Sequence, residues 1–145
     1  MPDSNLVAIV EDDDNLRELL KDLLTRCGFR TVVFASAGAF LEAAPTCSAG
    51  CLLLDINIGE DCGIALARTL TGRGYVFPII FMTASMSEAV RREAVQFGCV
   101  AYLEKPFKTV DLVQAIETAL ALRPVPSMLI DETQGPATPE SRGFA

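Results

Sequence analysis

Leu6-Val7-Ala8-Ile9-Val10-Glu11-Asp12-Asp13-Asp14 is the stretch on which the fold turns. Five consecutive apolar residues make a strand-sized run. A strand that is apolar at every position, not every second one, is covered on both faces. Four acids follow immediately, so the strand ends where water can reach them. Beyond the acids, Leu16, Leu19, Leu20, Leu23, Leu24 and Cys27 recur in steps of three and one. That spacing is one apolar face of a helix, and Gly28 is suited to stop it. A buried strand running straight into an amphipathic helix is the first half of a β-α-β unit.

The same alternation recurs along the chain. Thr31–Phe34 reads as a second strand, and Ser36 as the cap of a short helix to Ala43 with Phe40 and Leu41 facing inward and Pro45 just past its end. Cys51–Leu54 is a third strand ending on Asp55, followed by a helix from Ile64 to Leu70 that Gly72 and Gly74 close. Pro78–Met82 is a fourth strand ending at Thr83, and Val90, Ala94 and Phe97 mark the helix after it, stopped by Gly98. Val100–Leu103 is a fifth strand. Thr109 is read as the cap of a last helix whose inner face is Leu112, Val113, Ile116 and Leu120. Five β-α units predict an α/β fold, a doubly wound (βα)5 sandwich with a parallel sheet between helices. Residues 5–122 make up this domain. Residues 123–145 hold Pro124, Pro126, Pro136 and Pro139 with two glycines and little periodicity, the composition of a proline-rich tail or linker.

Composition narrows the function. The chain has 145 residues, half of them hydrophobic, enough for one domain with its own core. A net charge of −7 without any Lys/Arg block argues against nucleic-acid binding. No apolar run approaches the ~20 residues of a membrane span, and the polar start has no basic segment of the kind that opens a secretory signal. The expected location is the cytoplasm. Five cysteines without a C-x-x-C pair, and no histidine, argue against a disulfide scaffold, a zinc site and histidine-dependent nucleophilic catalysis.

In an open parallel sheet, ligands bind at the carboxyl ends of the strands. The residues there are Glu11-Asp12-Asp13-Asp14, Asp55 with Asn57, Thr83-Ala84, and Glu104-Lys105-Pro106. Asp13 and Asp14 read as acids favouring a helix N-terminus. Glu11, Asp12 and Asp55 would crowd together and repel one another unless a cation neutralised them, and a hard divalent ion with oxygen ligands suits that need. A carboxylate beside such an ion can attack phosphorus and become an acyl phosphate. A lysine can pair with the new phosphoryl group, and a threonine hydroxyl can donate to it. Taken singly, Asp55 is also a turn residue, Thr83 a helix cap and Lys105 a solvated charge. The weight lies in all four segments occurring in order at matching strand ends.

This set resembles the bacterial response-regulator receiver domain of two-component signalling. The resemblance covers roughly residues 5–122. It rests on Val10-Glu11-Asp12-Asp13, Leu53-Leu54-Asp55-Ile56-Asn57, Met82-Thr83-Ala84 and Tyr102-Leu103-Glu104-Lys105-Pro106-Phe107. It implies a flavodoxin-like fold with strand order 2-1-3-4-5 and Asp55 as phosphoacceptor. Mg²⁺ (or Mn²⁺) would be held by Glu11, Asp12, Asp55 and the backbone carbonyl of Asn57. Thr83, Ala84 and Lys105 would bind the phosphoryl group, Thr83 and Tyr102 would form the switch pair, and the bond before Pro106 would be cis. The implied donor is a sensor histidine kinase or phosphotransfer protein. The implied output is the face made by the fourth helix, fifth strand and fifth helix, a surface suited to a homodimer or another partner. Such a module catalyses only its own phosphorylation and slow dephosphorylation. Glu11 stands where aspartate is commoner, and Ile58-Gly59 where Met-Pro is frequent, with glycine expected to loosen that loop.

Three other readings compete. A phosphatase with an aspartyl nucleophile would want a second aspartate at position 57, which is Asn57. A degenerate receiver used only for docking has no need of Asp12, Asp55, Thr83 and Lys105 together. A flavin-binding module would place a Ser/Thr/Gly-rich loop where Glu11–Asp14 stand, and those acids would repel its phosphate.

Overall fold

The computed structural model describes residues 3–84 and 87–122. Strands β1 (Asp3–Val10), β2 (Arg30–Phe34), β3 (Ala49–Asp55), β4 (Ile79–Thr83) and β5 (Ala101–Glu104) form one parallel sheet in the order β2-β1-β3-β4-β5. Helices α1 (Asp14–Arg26), α2 (Ala37–Ala43), α3 (Gly63–Gly72), α4 (Glu88–Phe97) and α5 (Thr109–Ala121) alternate with the strands. This is the doubly wound sandwich expected from the alternation, with the flavodoxin-like strand order that the resemblance implies. In sequence terms the order reverses between β1 and β3, and ligands of such sheets bind at that reversal.

Strand alternation sorts the core into two layers. Val7, Ile9, Leu53, Ile80 and Met82 point to one face and meet Leu20 and Leu24 of α1 and Leu112, Ile116 and Ala119 of α5. Ala8, Val10, Leu52, Leu54 and Phe81 point to the other and meet Phe40 of α2, Ile64 and Leu70 of α3 and Ala94 of α4. All of β3 and all of β4 is buried. Each fully buried Leu, Ile or Phe contributes roughly 1.5–3 kcal/mol relative to exposure, so the interior strands anchor the sheet and hold the residues at their ends in place.

Several helix ends follow the sequence reading. Asp13 caps α1, accepting from the amides of Asn15 and Leu16. The Ser36 hydroxyl accepts from Ala39, and Ser87 does the same for α4 through Val90. Gly98 ends α4 in the left-handed conformation, φ 93°.

Three expectations are corrected. Thr109 is the first helical residue of α5, not its cap; Lys108 occupies the cap position in an extended conformation and makes no side-chain capping bond. Leu19 and Cys27 do not join the core: α1 presents a stripe wider than the sheet can cover, leaving Leu19 59% exposed and Cys27 at the surface. Ile58-Gly59 does not open the loop after Asp55. Asn57–Ile58 pairs with Asp61–Cys62 in a small antiparallel ladder, and Gly59 supplies its turn at φ 61°. The segment read as a proline-rich tail lies outside the described residues.

Candidate functional site

The ends of β1 and β3 lie side by side, because Val10 and Leu54 are partners in the ladder. Glu11 and Asp55 follow those two residues directly. Their neighbours on the sheet carry Thr83, the last residue of β4, and Glu104, its ladder partner at the end of β5. Lys105 comes next, and its amide donates to the Thr83 carbonyl at 2.7 Å. The sheet register alone therefore brings the acids and the lysine to one edge.

The geometry is tight. Lys105 Nζ donates to Asp55 Oδ2 at 2.9 Å and to Glu11 Oε1 at 3.0 Å. Asp55 Oδ1 accepts from the Asn57 amide at 3.1 Å. Glu11 Oε2 accepts from the Asp13 amide at 3.2 Å. Asp12 lies at the surface, and its Oδ2 accepts from the Gly59 amide at 3.0 Å. Glu11, Asp55 and Thr83 are buried. One oxygen each from Glu11, Asp12 and Asp55 can be chosen so that all three lie within 4.8 Å of one another.

Burial sets the electrostatics. Loss of water pushes the Glu11 carboxyl up to about 7, with the Asp55 charge adding to the rise and the bonds from Lys105 and the Asp13 amide opposing it. Burial alone would lower Lys105, but its hydrogen bonds and charge pairing with Asp55 and Glu11 outweigh that and raise it. One ammonium is thus shared by two of the three converging carboxylates, Glu11 and Asp55. The donor set is oxygen only, with no sulfur among it, and suits a hard divalent cation.

Most residues singled out from the sequence meet here: Glu11, Asp12, Asp55, Asn57, Thr83 and Lys105. Ala84 follows Thr83 at the surface. The Lys105–Pro106 peptide bond is cis. Tyr102 lies two residues back along β5, and its hydroxyl accepts from Arg91 Nε at 3.0 Å.

Sequence reasoning missed three contributors. Arg17 Nη1 donates to the Glu11 carbonyl at 3.0 Å while its other nitrogen pairs with Asp14. Gly59 offers its amide to Asp12 across 47 positions of chain. Arg91 reaches Tyr102 from the neighbouring helix. Arg17 acts over three and six positions of chain, whereas the contacts of Gly59 and Arg91 are visible only once the fold brings separate elements together. Gly63, the first residue of α3, is required on steric grounds: a Cβ there would lie 2.2 Å from the Asp55 carbonyl oxygen.

A flavodoxin-like sheet with convergent acids and a lysine at its carboxyl edge defines a class of phosphate-handling signalling modules. The model of the response regulator receiver domain matches residues 7–117, and the chain belongs to that family. It is 34% identical to the transcriptional regulatory protein TdiR of Thauera aromatica over 82% of this chain and 52% of that protein. It is 36% identical to the response regulator protein TmoT of Ectopseudomonas mendocina over 83% of this chain and 54% of that one. The chain therefore spans about half the length of these curated relatives. Among solved structures it superposes on FixJ-N with a TM-score of 0.79 at 31% identity, covering 87% of this chain and all of the other. It matches the response regulator StyR at 0.73 and 37% identity over 81% of this chain and 60% of that one. The chain carries a receiver domain of a two-component response regulator, a signalling module. Among the described residues no helix is long and apolar enough to cross a membrane.

Proposed function

We propose that Asp55 accepts a phosphoryl group from the phosphohistidine of a sensor kinase or phosphotransfer protein. The observation that carries this is the Lys105 ammonium shared by buried Glu11 and Asp55, with Asp12 alongside. An Asp55 oxygen attacks phosphorus; the nitrogen–phosphorus bond of the donor breaks, and its electron pair leaves with the imidazole. Lys105 follows the negative charge from the carboxylate to the phosphoryl oxygens, and the Thr83 hydroxyl donates to them beside Ala84. Glu11, Asp12, Asp55 and the Asn57 carbonyl are the residues that would hold Mg²⁺ or Mn²⁺, which when bound neutralises the acids and the phosphoryl oxygens. Tyr102 responds to the movement of Thr83 and alters the face of α4, β5 and α5, through which the domain reaches a second copy or an output partner. Residues 5–122 are the working unit, residues 123–145 are a proline-rich tail or linker, and the module works in the cytoplasm. No feature of the site favours an external phosphatase substrate or docking without phosphorylation.

Intact mass after incubation with acetyl phosphate tests the assignment. The expected result is one phosphoryl adduct that requires Mg²⁺ and is absent in Asp55→Asn. Equal labelling of Asp55→Asn and wild type would sink it.

A further inference from the structure

Tyr102 is held from outside. It pairs in register with Phe81 and shares a sheet face with Phe81 and Thr83, since side chains two apart on a strand point the same way. Its ring packs only partly against the core on that side. Arg91, on the exposed side of α4, donates from Nε to the Tyr102 hydroxyl at 3.0 Å. The same guanidinium carbon lies 5.9 Å from the ring centroid, within cation–π range. One side chain thus fixes both the hydroxyl and the ring of the residue placed to sense Thr83.

We infer that Arg91 is a positioning residue that latches Tyr102 outward in the resting domain and so sets how readily the switch engages. This deepens the phosphoacceptor reading and rests on it for its functional arm. For Tyr102 to turn toward Thr83, both contacts with Arg91 must break together. A contact made in only one of two conformations shifts their ratio by its own strength. At an exposed site the cation–π contact alone implies a change of about two- to fivefold, and the hydrogen bond from a charged donor multiplies it.

The chain has no tryptophan and only two tyrosines, Tyr75 and Tyr102. Tyr75→Phe therefore leaves Tyr102 as the sole tyrosine fluorophore, and acrylamide quenching reads its accessibility. In that background, without any phosphodonor, Arg91→Ala is expected to lower quenching as the ring turns inward, and Arg91→Lys to return it toward the starting value. If the ring stayed in place, loss of Arg91 would uncover it and quenching would rise. A rise, or no change, overturns the latch.

The second arm is the rate of labelling by acetyl phosphate with Mg²⁺. Arg91→Ala is expected to raise it about threefold or more, and to do nothing further in a Tyr102→Phe background. An equal effect in both backgrounds overturns coupling through Tyr102. If the wild type takes up no phosphoryl group, the phosphoacceptor assignment fails, and the quenching arm still decides the latch.

Discussion

Glu11 keeps a carboxyl group at 1% exposure, and the consequence is a specific pH response. Its folded-state value is about 7 against an ordinary 4.5, chiefly because burial disfavours the charge. Between those two pH values the native chain holds a proton that the unfolded chain has released. The contribution of Glu11 to stability therefore falls as pH rises from about 4.5 to about 7, the reverse of a salt-bridged acid with a lowered value. Below this window both states are protonated, and above it both are ionised. Relative to Glu11→Gln, the metal-free wild type is expected to lose stability across the window and to show a constant deficit above it. Urea midpoints for the two proteins over a pH series measure this, and a flat difference would refute it. The acids and Lys105 were legible in the sequence because each directly follows a strand. Gly59 and Arg91 were not, because their partners are set by tertiary approach and not by spacing; nor was Arg17, whose i,i+3 spacing from Asp14 reads as an ordinary helix-surface pair.

The segments that join strand to helix decide how well the site is held. The loop after Asp55 is tied at both ends. The Gly63 amide donates to the Ile56 carbonyl at 2.6 Å, and the Gly59 amide donates to Asp12. Gly63 cannot gain a methyl group without moving the Asp55 backbone. Gly63→Ala is expected to cost about 1–3 kcal/mol through overpacking, and to slow phosphoryl uptake because the acceptor itself is displaced. Urea unfolding together with acetyl phosphate labelling separates these effects; wild-type values in both would show that the backbone relaxes freely. Periodicity located every helix, but it could not show how wide a stripe the sheet would cover. Leu19 matches the helical repeat and still lies outside, beside Pro106 and Phe107 along an apolar groove of about 550 Å³. The cap of α5 was misplaced by one residue, because Thr109 and Lys108 differ in backbone conformation and not in any pattern a sequence displays.

At the scale of the whole molecule, two apolar layers enclose a sheet whose acids gather at one edge. A cation that binds only the native state stabilises it by mass action, about 2.7 kcal/mol at a hundredfold excess over its dissociation constant. Added Mg²⁺ is therefore expected to raise the unfolding midpoint of the wild type and to have much less effect on Asp12→Ala. An equal rise in both would remove Asp12 from the proposed ligands. The fold class followed from the alternation of strands and helices, since nearly every inner-strand position is apolar. The strand order did not, because adjacency depends on crossovers that local pattern leaves open.

That order has a mechanical consequence. Asp55 ends a strand in the middle of the sheet, whereas Tyr102 and Lys105 belong to β5 and its end, at the margin with β4 as its only neighbour among the described residues. Displacing an inner strand tears two ladders; displacing a marginal one tears a single ladder. Under the proposed role of Asp55, a charge placed at the stiff centre would be reported where the sheet yields most cheaply, and the surface would be redrawn there while the interior keeps its shape.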